Sequence, residues 1–470
     1  MNVKDTQFNK ETNRSNQNFS PIPVLASPLS SSQAKWLDEA FSFLEEKRAL
    51  ELNETLTNIY SHTGHEREIN EYIVSHFKAI GMDSSYQSID PKMGNAFIRI
   101  TGDGTGPTLL AISPVDTHWS GDEDLDGVQW GTPMRRDNSL PAQVQGQTII
   151  GLGSNNVKST MTALILAVEA IRAAKIPLKG SLIAAFVAGA APALSPDHEE
   201  RENISFGAGV LHMLTRGIWS DFALYHKPGW DVTWDDTSLN YFKISVFDEP
   251  QYLGTSYNRE NPYRLLKDIV RVIEFVDTFG EGQQNNTIQG NPIASVSMNS
   301  IQFGRPDKPN WSPAQADLFL DIRGNSNRSP LDICQLLKRD LKEFLSKHPG
   351  MRLDVSQYAS IPGASTDSGN WIVQSAIRAS QFVTREVSKT YPTFRSGQTE
   401  ASLLRLWGIP TAKVGGTGPL SGLSPDLPEE IKGFTMSGSY APYIIKSAQV
   451  LIYTIIDTLT RTKSECGIGE

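Results

Sequence analysis

From Gln33 onward apolar residues recur at helical spacing, with Trp36, Leu37, Ala40, Phe43 and Leu44 on one face. The same period returns over Glu66–Ile80, where Ile69, Ile73, Phe77 and Ile80 align and Gly81 stops the helix. Ala96–Thr101 and Thr108–Ile112 then read as strands, the second mostly apolar, as strands buried on both faces are. Asp116–Gln147 shows no period and predicts loops. A helix over Lys158–Ala174, a strand over Ser181–Ala188, a helix near Phe206–Thr215 and a strand near Phe222–Tyr225 follow. Strands alternating with helices predict an α/β domain whose sheet carries helices on both faces.

The rhythm changes at about Ser238. Leu239–Val246, Ala294–Phe303, Ala316–Arg323 and Met351–Tyr358 read as strands, and Asn261–Phe279 and Pro330–Leu345 as helices. The order strand–helix–strand–strand–helix–strand is that of a ferredoxin-like α+β unit. A helix over Asp367–Val387, the Arg395–Gly418 segment and a helix over Tyr443–Arg461 then return to the first domain. The pattern divides the chain into a flexible polar tail (residues 1–32), the first part of the α/β domain (33–237), the insert (238–358) and the second part (359–470).

Composition narrows the partners. A net charge of −9 over 470 residues and a pI near 5.5 argue against nucleic acid, which needs a basic surface. The two cysteines, Cys334 and Cys466, make no disulfide framework, which fits a reducing compartment. The opening MNVKDTQFNK has no apolar core and does not read as a secretory signal. The most apolar stretches, Thr160–Ile171 and Ser181–Leu194, fall short of the roughly 20 residues that cross a bilayer. The expectation is a cytoplasmic, soluble protein without membrane or nucleic-acid partners.

Four strings, in this order, carry a resemblance: Leu109–Trp119 (LLAISPVDTHW), Gly151–Lys158 (GLGSNNVK), Asn310–Arg323 (NWSPAQADLFLDIR) and Gly397–Gly418 (GQTEASLLRLWGIPTAKVGGTG). Together they resemble the zinc aminoacylase/carboxypeptidase family of acetylornithine deacetylase, succinyl-diaminopimelate desuccinylase and glutamate carboxypeptidase. The resemblance runs from about Asn53 to Thr462. It implies a zinc-exopeptidase-like α/β sandwich with an inserted ferredoxin-like domain that serves as lid and dimerisation surface, hence a possible homodimer.

In that family two zinc ions polarise water for amide hydrolysis, which requires His and carboxylate ligands and a free carboxylate as base. By the resemblance, Pro114 stands where the first His ligand belongs, and Asn156 where the bridging Asp belongs. Ala190 and Ala191 stand where the general base and a further ligand belong, and no His occurs after His348 to supply the last ligand. The His that family dimers send to the partner's active site aligns near Tyr252. His226 matches a ligand position; Asp116 matches the residue that orients the lost His. His118 is either a substitute ligand or an exposed loop histidine. The glycines around Lys158 fit a turn into the next helix. Asp197, Glu199 and Glu200 either rebuild a metal site or form a charged surface loop. Asn310, Arg323, Gly415, Gly416 and Gly418 match the end that holds a substrate carboxylate, a task a guanidinium suits, although Arg323 reads equally well as half of an ion pair. Glu400 replaces a family Asp.

No cofactor is therefore expected, and whether the protein is an enzyme stays open. One class is a non-hydrolytic binder of an amino-acid- or peptide-like carboxylate, or a modulator of an active relative. A second is a metal-free enzyme using Asp116, His118, Lys158, His226 or Glu400 for acid–base work. The third is a hydrolase with a rebuilt metal site.

Overall fold

The computed structural model describes residues 28–130, 138, 140–193, 201–228, 232–258, 264–285, 287–288, 291–292, 294–326, 328–386, 398–415 and 436–469. Three helices come first: α1 (Ser31–Phe41), α2 (Glu46–Asn58) and α3 (Arg67–Ala79). Ser30 and Gln33 cap α1 reciprocally, which fixes where the first helix begins. The strands β1 (Asp83–Ser88), β2 (Gly94–Ile100) and β3 (Thr108–Pro114) follow, then α4 (Thr160–Ala173), β4 (Ser181–Val187), α5 (Ala208–Thr215) and β5 (Phe222–His226).

The insert comprises β6 (Ser238–Phe247), α6 (Arg264–Asn285), β7 (Ala294–Phe303), β8 (Gln315–Gly324), α7 (Pro330–Ser346) and β9 (Arg352–Ile361). The chain returns through α8 (Trp371–Thr384), α9 (Ala401–Leu406), β10 (Thr411–Val414) and α10 (Ala441–Leu459).

The large sheet has the order β1-β2-β4-β3-β5-β10. Its four strands from β4 to β10 run parallel, and β1 and β2 are antiparallel to their neighbours. Strand alternation sorts its side chains into two cores. Leu109, Ala111, Leu182, Ala184, Phe222 and Leu224 pack under the helix layer containing α1, α2, α4, α8 and α10. Leu110, Ile112, Ala185, Val187, Ala223 and Tyr225 pack under α5 and α9. The sheet is thus covered on both faces, as the strand–helix alternation predicts.

The second sheet has the order β7-β8-β6-β9, entirely antiparallel, and its core of Phe242, Ile244, Leu320 and Ile322 meets α6 and α7. Numbering its strands along the chain gives 2-3-1-4, the ferredoxin-like arrangement. Where the chain enters and leaves this unit, Asp235–Asp236 pairs with Ala364–Ser365. There the Asp236 carboxylate bonds Arg405 and Lys413, all three side chains being buried.

Two local expectations change, and one strand forms where the pattern announces none. The predicted loop region Asp116–Gln147 contains a helix at Glu123–Trp130, because the Asp126 carboxylate accepts from Ser120 and Gly121 and acidic residues fill the first turn. The helix expected from Lys158 begins with a wider turn, Ser154–Ser159, in which Asn156 leaves helical geometry (φ −105°, ψ 95°). The polar segment Asp83–Ser88 shows no alternation, yet it forms the outer strand β1 because β2 presents a row of backbone groups to pair. Among the described residues no helix is long and apolar enough to cross a membrane.

Candidate functional site

The parallel strands end at one edge of the large sheet, where α/β folds place their ligands. β3 runs out through Val115 to Asp116, which is 4% exposed. The segment between α2 and α3 lies beside it: Thr117 N donates to Ser61 O at 2.8 Å, and Thr63 N to Thr117 O at 3.3 Å.

The Asp116 carboxylate is fully engaged. Its Oδ2 accepts from Thr63 Oγ1 at 2.9 Å and from Ala191 N at 2.8 Å, and its Oδ1 accepts from Ala190 N at 3.1 Å. Ala190 and Ala191, positions that the resemblance assigns to a base and a ligand, therefore act through their backbones. The preceding amide, Gly189 N, donates to Glu66 Oε1 at 2.9 Å, as does Gly64 N at 2.9 Å. Three successive amides after β4 are thus held by two buried carboxyls. Gly189 sits at φ +67°, and a side chain there would meet Ile204 O at 2.7 Å, so this turn requires glycine.

Burial pushes the Glu66 carboxyl well above the usual range, and the Asp116 charge adds to the rise. Its Oε2 is buried without a hydrogen-bond partner among the described residues. Lys158, fully buried, donates to Ile59 O at 3.1 Å and to Ser61 Oγ at 2.5 Å. Burial lowers its ammonium to about 7, against the pull of Asp116 and Glu66. Lys158 thus holds the α2–α3 segment under the site, in keeping with a structural reading of its motif.

The other sequence candidates divide. Pro114 closes β3 opposite Val187 and has no side-chain donor or acceptor. Asn156 Nδ2 lies 3.1 Å from Met436 Sδ, and Asn156 N donates to Met436 O at 3.1 Å, so this residue is tied to the segment before α10. His118 is exposed. His226 shares its strand face with Phe222 and Leu224, which points it into the helix layer. Its Nδ1 donates to Thr160 O at 2.9 Å, so its Nε2 is unprotonated and accepts from Ser447 Oγ at 2.8 Å. Burial lowers its pKa to about 4, and the ring stays neutral. The ligand role implied for His226 does not fit this placement, since both nitrogens are bonded within the core.

Glu400 is buried on the opposite face, hydrogen-bonded to Tyr225 Oη, and burial raises its carboxyl to about 8. Arg323 bonds Asp321 on its own strand, Nη2 to Oδ2 at 3.0 Å, which realises the ion-pair reading. Asn310 is exposed in the turn before Trp311, where its carbonyl accepts from Leu253 N at 2.8 Å. Gly415 is buried just beyond β10. Gly416 and Gly418 lie outside the described residues, as do Asp197, Glu199 and Glu200.

Sequence reasoning passed over Glu66, Ser61 and Thr63. Their signal was the string Tyr60–Glu66 (YSHTGHE), polar and ionisable residues packed between two helical periods.

Among the described residues, no three His, Cys, Asp or Glu side chains are grouped to hold one metal ion. Proline, alanine and a neutral amide at the implied positions, with Asp116 and His226 committed to protein partners, do not fit a dinuclear zinc centre.

No family model matches the sequence. In shape the chain is similar to human carnosine dipeptidase 1, at 12% identity and TM-score 0.65, over 92% of this chain and 100% of that one. It is also similar to an M20 family metallo-carboxypeptidase from Sulfolobus solfataricus (13% identity, TM-score 0.62, 87% and 98% covered). A third match is a dinuclear metal binding peptidase of the M20 family from Bacillus subtilis (14% identity, TM-score 0.56, 89% and 99% covered). The chain has the fold of the M20 metallopeptidases, the same aminoacylase/carboxypeptidase group that its sequence strings resemble.

Proposed function

We infer that this protein is a non-hydrolytic relative of the M20 peptidases that binds an amino-acid- or peptide-like carboxylate, or modulates an active relative. One observation carries the reading. The Asp116 carboxylate spends both oxygens on Thr63 and on the amides of Ala190 and Ala191, where a hydrolase of this fold keeps a base and a ligand. A carboxylate so committed neither orients a metal-bound His nor takes a proton from water.

The test is metal analysis of purified protein beside thermal shifts with N-acyl amino acids and dipeptides. The expected result is no stoichiometric metal, no amide cleavage, and a ligand-dependent rise in melting temperature. One or more tightly held zinc or manganese ions per chain, with chelator-sensitive cleavage, would overturn it and favour a site rebuilt through Asp197, Glu199 and Glu200.

A second reading is metal-free acid–base chemistry. The groups brought near neutrality favour it, Lys158 at about 7 and Glu400 at about 8. It requires turnover that survives chelators and follows a pH profile set by those two groups. The expected homodimer finds support in β7, an outer strand that leaves Ile301 and Phe303 exposed; light scattering tests it.

A further inference from the structure

At the end of the large sheet opposite Asp116, β5 and β10 begin side by side, and the loops entering them line a cavity of about 360 Å³. Each loop leaves a helix through the same kind of cap. After α9, Gly408 N donates to Arg405 O at 3.0 Å and Ile409 N to Leu404 O at 3.0 Å, with Gly408 at φ +82°. After α5, Gly217 N donates to Leu214 O at 3.1 Å and Ile218 N to Met213 O at 3.1 Å, with Gly217 at φ +81°. These paired bonds are Schellman closures, which fix the direction in which the chain departs. Ala223 N then donates to Pro410 O at 2.9 Å and ties the two loops together.

What these fixed loops present is two indoles and a carboxylate. Trp219 is 65% exposed and Trp407 52%, and both line the cavity. Neither indole meets another ring, a cation or a hydrogen-bond acceptor among the described residues. Large apolar side chains left open together at a concave place mark a binding surface. Asp221 lines the same space. Its Oδ2 accepts from Thr108 N at 2.7 Å and Thr108 Oγ1 at 2.8 Å, which moors the side chain to the start of β3. Its Oδ1 has no partner among the described residues. Lys463 brings its ammonium to 3.7 Å from Oδ2, but it is half-exposed and does not line the cavity.

We propose that Trp219, Trp407 and Asp221 form a binding site for a small molecule bearing a quaternary, methylated ammonium group. An indole face attracts a cation through its quadrupole, most strongly once the ion has shed its water. A bare ammonium is strongly hydrated, and Lys463 stays in solvent accordingly. A methylated ammonium has apolar substituents to bury against the two rings, and its charge faces Asp221 Oδ1 without needing a hydrogen bond. The site is distinct from the Asp116 clamp. The seven residues of β3, which starts at the Asp221 contact, separate the two by roughly 20 Å. The proposal therefore stands independently of the carboxylate-binding reading.

Saturation-transfer NMR and tryptophan fluorescence on the full chain test this with choline, its neutral carbon isostere dimethylbutanol, and ethanolamine. Choline is expected to bind with a Kd of about 0.1–10 mM, about tenfold more tightly than either of the other two. Trp219→Leu and Trp407→Leu should each weaken choline by about tenfold, with melting temperature confirming that the variants fold. Asp221→Asn should narrow the gap between choline and dimethylbutanol, and Lys463→Met should tighten choline by removing a competing cation. Should Asp221→Asn fail to fold, the tryptophan variants decide the location by themselves. Equal binding of choline and dimethylbutanol overturns the cation assignment. Choline binding that neither tryptophan variant alters overturns the location, and no binding at about 50 mM overturns the site altogether.

Discussion

Replacing Asp116 with asparagine separates a structural clamp from a dormant catalytic group. In the native protein Oδ1 serves the Ala190 amide, and Oδ2 serves the Ala191 amide and the Thr63 hydroxyl. Asparagine keeps one acceptor and places an NH2 where the other oxygen was, so at least one backbone N–H faces a donor. A hydrogen bond to a charged group contributes about 1.5–3 kcal/mol, and the bonds that survive fall to the neutral range of about 1 kcal/mol. Relief of the repulsion between Asp116 and Glu66 offsets part of this, leaving a local loss of about 2–3 kcal/mol. At 1.4 kcal/mol per decade, exchange of the Ala190 and Ala191 amides should accelerate roughly 30- to 150-fold. Residue-resolved hydrogen exchange by mass spectrometry measures this directly. Gly189 supplies an internal reference, because its amide is held by Glu66. Exchange at Ala190 and Ala191 within about threefold of wild type, by the same scale, would refute the clamp.

His226→Ala should lower stability by about 2–3 kcal/mol through the cavity and the lost bonds to Thr160 and Ser447, and leave ligand affinity unchanged; titration and chemical denaturation check both. Glu400 binds its proton up to about pH 8 when folded but only to about 4.5 when unfolded, so its contribution to stability is fully present below 4.5 and is lost as pH rises through 8. Glu400→Gln should therefore flatten the fall in unfolding free energy between pH 5 and 8, by an amount on the order of a few kcal/mol at pH 8 in denaturant titrations. An unchanged slope would exclude Glu400 as its source. Asp236→Asn leaves Arg405 and Lys413 buried without their counter-charge and should cost about 3–5 kcal/mol, read by denaturant unfolding.

The architecture was legible because its information is local and periodic. The alternation in Gln315–Gly324 and the long helical stripes of α6 and α7 declare an antiparallel unit within an α/β chain. The same period, carried one residue further in β5, places His226 with Phe222 and Leu224 on the covered face, so its burial was readable in principle. The resemblance identified Ala190 and Ala191 as losses but not what their amides do. That depends on Thr63, Glu66 and Asp116 meeting across about fifty residues of chain, and a contact of that range leaves no periodic trace in sequence. The Arg323–Asp321 pair was one of two equal readings, and only the shared strand face decides it.

The Asp236 knot also bears on how the molecule comes apart. Arg405 Nη1 reaches both Asp236 on the entering strand and Ala364 O on the leaving strand, while Lys413 anchors the same carboxylate to β10. Separating the insert from the large sheet would strip a carboxylate from two cations inside the protein, at a cost comparable to a good part of a domain's stability. The large sheet with its two cores and the insert with its own would ordinarily melt in two steps. Here the shared fastening couples them, so calorimetry should record a single cooperative transition that splits in two when Arg405 is replaced.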